Sequence, residues 1–393
     1  MYTERAGICW REAMRSELDA VLRDVRIDRR RFLAAAGVFG ATALLGSCRA
    51  GQSRQGAASP PASRPPVEEE PGELRIIEWA GYDVKPLYRA YLRRFPDDEP
   101  RFTYITNTES VIGKVRAGFR ADLVHPETSY ARDFVALGTM QPFDTDLLPH
   151  LGDLNPDLVS VGVLDGQQYH IPTDWGFSTV LYNADHVDAD EQTYALLFDE
   201  RYPGKITWFD TPWVLIMAGL VLGVEDIYDM TDDELDEVKR FCIDRKHLVR
   251  NLWTNPTDLD QDFAQGNVWI AYAWNASYLA ALNNGVNAVY CTRPKEGVIT
   301  WTEGFMLFAD TENYYHAHAY VDAWARPETA YWLIENYGYG HTNTSIDLSR
   351  LSPEVVEAFR LDDPEAFKPP AHIDRWIPRR TAYNAAWDEV KAA

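Results

Sequence analysis

Arg29-Arg30-Arg31-Phe32-Leu33 opens a run of small and apolar residues that closes on Leu45-Gly46-Ser47-Cys48. A twin arginine ahead of a short apolar core is an export address read by a receptor. The run from Leu33 to Gly46 is shorter than the ~20 apolar residues a membrane-spanning helix needs, so it reads as a signal h-region. A thiol directly after Leu-Gly-Ser is placed as in a lipobox, where Cys48 would take a lipid and become the new N-terminus. Residues 1–48 are therefore expected to be a leader with a twin-arginine lipoprotein signal. The chain beyond Cys48 is expected to work outside the cytoplasm, tethered to a membrane face. Residues 49–72 are rich in Gln, Ser, Ala, Pro and Gly, bury little apolar surface, and predict a flexible stalk.

The other reactive side chains point to less. Cys242 and Cys291 are consistent with one disulfide outside the cell or with two separate buried thiols. No metal-ligand spacing links the cysteines. His316 and His318 lie two apart in a stretch that reads as a helix start, where alternate residues diverge, so a metal is not expected. No Gly-x-Ser-x-Gly, phosphate loop or His-Glu-x-x-His is present, so neither catalysis nor a cofactor is expected. The 38 Lys and Arg face 60 Asp and Glu, a formal charge of −22, which excludes a nucleic-acid partner because phosphate contact needs a basic surface. Acidic clusters such as Asp232-Asp233-Glu234 fall at exposed-looking helix starts and suit a salt-adapted surface. Bulk acidity therefore says little about a ligand, and only individual carboxylates do.

The elements that would position such side chains alternate. Strands are predicted at Leu74–Trp79, Phe102–Ile105, Asp122–Val124, Ile206–Phe209, Trp269–Trp274 and Val298–Phe308. Helices are predicted at Pro86–Phe95, Ser110–Ala117, Tyr130–Leu137, Trp213–Leu222, Asp232–Cys242 and Tyr314–Trp324. Tyr169–Tyr182 reads as two extended segments around Asp174-Trp175-Gly176. This βα alternation implies an α/β protein with parallel strands and helices on the sheet faces. Ligands then sit beyond the carboxyl ends of the strands. That places Trp79, Tyr82 and the Glu127-Thr128-Ser129 turn at one mouth.

Several short pieces recur in order: Glu78-Trp79-Ala80-Gly81-Tyr82, Ala121-Asp122-Leu123-Val124, Tyr169-His170-Ile171-Pro172, Pro203-Gly204-Lys205, Ala273-Trp274-Asn275-Ala276-Ser277, Pro294-Lys295-Glu296-Gly297, Trp301-Thr302-Glu303, Gly338-Tyr339-Gly340 and Tyr383-Asn384-Ala385-Ala386-Trp387. Their order and spacing from about Leu74 to Lys391 resemble the extracytoplasmic polyamine-binding proteins (spermidine/putrescine type) of ABC importers.

The resemblance implies a two-lobed periplasmic-binding-protein-like fold (type II), with lobe 1 at residues 73–176 and 302–348 and lobe 2 at 177–301 and 349–393. The ligand lies in the cleft between them. It also implies that Trp79, Tyr82, Trp274, Trp301 and Tyr339 line the cleft, with Asp210 and Glu303 as its carboxylates. Asp210 is equally placed to cap the helix that starts at Trp213. Departures from the family pattern are Trp213 in place of a second acid, Glu127 in place of a serine two residues before Ser129, and Ile377 beside Trp376 in place of a glutamine. The expected partners are putrescine or spermidine, an ABC permease with its ATPase, and a membrane through the lipid anchor, with the chain a monomer. Another organic cation, or a role as a tethered sensor, are the alternatives.

Overall fold

A computed structural model describes residues 66–105 and 107–393. The twin arginines, the apolar run and Cys48 lie outside the described residues, as does most of the expected stalk. The end of that stalk is not loose. Val67–Glu69 forms a 3-10 turn. The Glu70 carboxylate accepts from the backbone N–H groups of Tyr315 (2.8 Å) and His316 (3.0 Å), and Gly72 N–H donates to Asn313 Oδ1 at 2.8 Å. The first N–H groups of a helix have no intrahelical acceptor and attract negative charge, so the helix Tyr314–Trp324 draws Glu70 into the fold. The flexible stalk expected through residue 72 therefore ends earlier.

One mixed sheet runs through the folded region. We number the strands used here β1 (Arg75–Trp79), β2 (Arg101–Ile105), β3 (Leu123–Val124), β4 (His170–Asn183), β5 (Ile206–Phe209), β6 (Val249–Trp253), β7 (Ile270–Ala273) and β8 (Ile299–Phe308). Their order is β2-β1-β3-β8-β4-β7-β5-β6. At one end β1 pairs parallel with β2 and β3. At the other, β5 pairs parallel with β7 and β6. The two halves meet on the long antiparallel strands β4 and β8.

The predicted pair of segments around Trp175-Gly176 is one continuous strand. Its His170–Ser178 part pairs with β8, and its Thr179–Tyr182 part pairs with β7. All of its residues are buried. A strand covered on both faces shows no alternation, which is why the sequence reads less clearly there. Each half carries its own core. Tyr82, Phe305 and Trp324 centre one, and Trp208, Tyr272 and Trp387 the other. This is the mixed α/β architecture of the two-lobed binding-protein fold.

Cys242 and Cys291 are both buried and unpaired. Burial pushes both thiols up, that of Cys291 to about 12, so each is a packing residue. His316 and His318 also serve structure. His316 Nδ1 pairs with Tyr91 Oη at 2.9 Å, and His318 Nε2 accepts from Asp144 N–H at 2.9 Å.

Candidate functional site

β1 delivers Trp79 to its carboxyl end. Gly81, at φ +97°, turns the chain so that Tyr82 N–H reaches Trp79 O at 3.1 Å. Tyr82 stacks on Trp324 with ring centroids 5.7 Å apart and planes 3° from parallel, and donates its hydroxyl to Asp174 Oδ2 at 3.0 Å. Beneath it lies a fully buried chain of charge. His125 Nδ1 meets Glu78 Oε1 at 2.7 Å, and its Nε2 meets Asp174 Oδ1 at 3.1 Å. Burial alone would lower the imidazole pKa, but Glu78 and then Asp174 raise it to about 10. The two carboxylates thus favour the protonated imidazole, while burial raises the Glu78 carboxyl in turn.

β8 carries Trp301 and Glu303 on one face. Glu303 is opposite Asp174 in the β8–β4 register and is bridged to Glu127 through the backbone. Glu127 accepts a hydrogen bond from Thr108. Burial raises the pKa of both carboxyls; for Glu303 the Asp174 and Glu127 charges raise it further. Trp301 sets its ring edge-on to Tyr339, centroids 5.1 Å apart and 88° between planes. Trp301 can lie there because residue 176 is glycine: a Cβ at that position would meet Trp301 Cζ2 at 2.5 Å. The indole N–H groups of Trp79 and Trp301 are buried without a hydrogen-bond partner.

Sequence reasoning missed Glu78, His125 and Asp174 as members of the site, and Asp374 beside it. Asp374 accepts from Thr302 N–H (3.1 Å) and Thr302 Oγ1 (2.9 Å), and the Ser129 backbone also bonds it. Burial, with Glu127 nearby, raises its pKa to about 7. The signal available was a lone Asp before Arg375-Trp376.

The remaining expected residues fall elsewhere. Trp274 packs edge-on against Trp253 (5.1 Å) and Phe209 (5.0 Å). Trp213 packs against Tyr228 at 6.0 Å. The Asp210 carboxylate is not with Glu303. It accepts from Trp387 Nε1 at 2.8 Å and lies 3.4 Å from Lys391 Nζ, so it ties the C-terminal helix Arg380–Ala392 to the end of β5. Nor does Asp210 cap the helix at Trp213, since that N–H reaches Thr211 Oγ1 at 3.4 Å. The capping role expected for Asp210 is thus corrected, and both of its contacts, to Trp387 and to Lys391, are made by Oδ1.

Among the described residues, His125, Asp174 and Glu303 bring potential metal-ligand atoms within 4.8 Å of one another. Both ring nitrogens of His125 already face carboxylate oxygens, Nδ1 that of Glu78 and Nε2 that of Asp174. What remains is a surplus of negative oxygen. Glu78 and Asp174 hold His125, Glu303 and Glu127 adjoin them, and Arg380, whose guanidinium lies 3.7 Å over Tyr130 and donates to Ser129 O at 2.7 Å, opposes the Glu127 charge.

The two halves of the sheet meet on long crossing strands, and the ring-lined acidic site lies at that crossing. The chain belongs to the bacterial extracellular solute-binding proteins, whose family pattern it matches over residues 102–366. It is 28% identical over 240 residues to the spermidine/putrescine-binding periplasmic protein of Escherichia coli, covering 60% of this chain and 67% of that one. Its fold resembles the spermidine/putrescine ABC transporter substrate-binding protein PotD of Streptococcus pneumoniae, with TM-score 0.68 and 19% identity, covering 81% and 97% of the two chains. It also resembles MotA of Agrobacterium tumefaciens, solved with glucopine, with TM-score 0.65 and 16% identity, covering 81% and 99%. One fold thus serves unlike ligands, and the site must decide.

Proposed function

We propose that the chain captures a linear polyamine, putrescine or spermidine, and delivers it to an ABC permease and its ATPase from the outer side of the cytoplasmic membrane. Cys48 provides the lipid anchor in this reading, and the chain acts as a monomer. The observation that carries the proposal is the surplus of carboxylates over cations around Glu127, Glu303 and Asp374. Buried carboxylates without counter-charge are costly. A guest bearing ammonium groups supplies the missing charge through charge-assisted hydrogen bonds. The faces of Trp79, Tyr82, Trp301 and Tyr339 suit its methylenes and add cation–π attraction of roughly 0.5–2 kcal/mol each. The names of the relatives agree with a polyamine guest.

The test is a thermal-shift and calorimetry panel on the full chain at matched salt, with putrescine, spermidine, glycine betaine and thiamine. Putrescine or spermidine raises the unfolding midpoint, and the other two leave it unchanged. A chain that binds betaine or thiamine more tightly than either polyamine, or binds no polyamine, overturns the proposal.

A further inference from the structure

Beside Glu127, a segment of the second half of the fold reaches across to the first. Between Trp376 and Arg380 lies Ile377, buried in one core with Trp208 and Trp387, and Arg380 opens the C-terminal helix Arg380–Ala392. They meet the helix Ala131–Ala136 of the first half, whose Phe134 shares a core with Val124 and Met306. Trp376 Nε1 donates to Asp133 Oδ1 at 3.1 Å. Arg380 Nη2 donates to Ser129 O at 2.7 Å, and its guanidinium lies 3.7 Å over the Tyr130 ring. Ser129 and Tyr130 belong to the 3-10 turn Thr128–Tyr130 that Glu127 opens, and Tyr130 N–H returns to Glu127 O at 3.0 Å.

This clasp lacks one bond. Arg380 Nε and Asp133 Oδ2 stand 3.9 Å apart across the seam, and each atom is buried without a hydrogen-bond partner. Buried polar groups are almost always hydrogen-bonded, and opposite charges taken out of water are compensated only in good geometry. An approach of about 1 Å turns the pair into a charge-assisted hydrogen bond. The seam has room for it. A cavity of about 350 Å³ lies between the halves, lined by Thr128, Arg132 and Ser160 from the first and by Tyr228, Arg375 and Trp376 from the second. The guanidinium is thus held on the Glu127 turn while the Asp133 oxygen beside it goes unmatched.

We propose that Arg380 is a positioning residue whose bond to Asp133 closes only when a cation occupies Glu127, so that the clasp of Asp133, Trp376 and Arg380 sets how long the guest is held. Without a guest, the guanidinium stays on the Ser129–Tyr130 turn and opposes the Glu127 charge. An ammonium at Glu127 takes over that task and leaves the guanidinium free to turn to Asp133. The new bond exists in the bound state alone, and a contact made in one state only is what lets a ligand shift the balance between two. This rests on the polyamine reading and deepens it by naming the contact that governs release.

Stopped-flow tryptophan fluorescence on the full chain, with putrescine and with spermidine, tests this in wild type, Asp133→Asn, Arg380→Gln and the double variant. In Asp133→Asn the amide oxygen still accepts from Trp376, and the charge facing Arg380 is lost. The expected result is release of the bound polyamine about tenfold faster in each single variant and no faster again in the double, with association within about twofold of wild type. In the guest-free chain the two substitutions should change the urea midpoint additively, because the bond is absent there. A merely structural contact would couple them equally with and without the guest, and that outcome overturns the proposal. If wild type binds a polyamine but its release from Asp133→Asn stays within about twofold, or the double variant multiplies the two single effects, the clasp is wrong and the polyamine reading stands. If wild type binds neither polyamine, that reading fails and the clasp falls with it.

Discussion

At the residue scale the site is a problem of uncompensated charge. Glu303 has Asp174 and Glu127 for neighbours, and the His125 that opposes its charge is already paired with Glu78 and Asp174, whereas Asp210 has Trp387 and Lys391. The two carboxylates that the family resemblance treats alike should therefore respond differently to loss of charge. Glu303→Gln is expected to weaken polyamine binding by about tenfold or more, roughly 1.4 kcal/mol, with little loss of stability. Asp210→Asn is expected to leave affinity within about twofold and to lower stability by about 1 kcal/mol through the Trp387 bond. Isothermal calorimetry beside urea unfolding separates the two effects, and equal affinity losses would restore Asp210 to the ligand.

Elements decide how closely the rings approach. β4 and β8 are paired along Ile299–Met306, and Trp301 lies over Gly176 with no room for a methyl group. Gly176→Ala must push the indole away or part the strands. Overpacking of this kind costs about 1–3 kcal/mol. The expected outcome is a lower urea midpoint together with weaker polyamine binding, since Trp301 carries the face on which Tyr339 leans. A variant with normal affinity would show that Trp301 does not touch the guest. The same reasoning explains Glu70. A residue in a Pro- and Glu-rich stretch becomes part of the fold because an open helix N-terminus stands within reach.

For the whole molecule, the buried Glu78–His125–Asp174 chain links stability to pH. The folded imidazole titrates near 10 against an ordinary value near 6.5. A group whose pKa is raised by folding stabilises fully below its unfolded value and loses that contribution as pH rises towards the folded one. The wild-type lead in thermal midpoint over His125→Gln should thus be greatest near pH 6 and shrink steadily towards about pH 10. A lead that is flat with pH would mean that His125 is neutral in the fold. Much of the architecture was legible beforehand. Arg75–Trp79, Ile206–Phe209, Trp213–Leu222 and Tyr314–Trp324 lie within a residue of expectation, because their apolar spacing and their turns are local signals. Trp79, Tyr82, Trp301, Glu303 and Tyr339 were identifiable because the short pieces that contain them keep family order. The fate of Asp210 and the role of Asp374 were not legible. Each depends on which side chain, 177 residues away for Trp387 and 72 for Thr302, arrives beside it. Hydrophobic rhythm marked the strands and helices, and the family order of the short pieces implied the fold and its class of task. Only the folded packing decided which acids are neutralised from within and which are left for a guest, because charge balance is settled by distance in space and not by position along the chain.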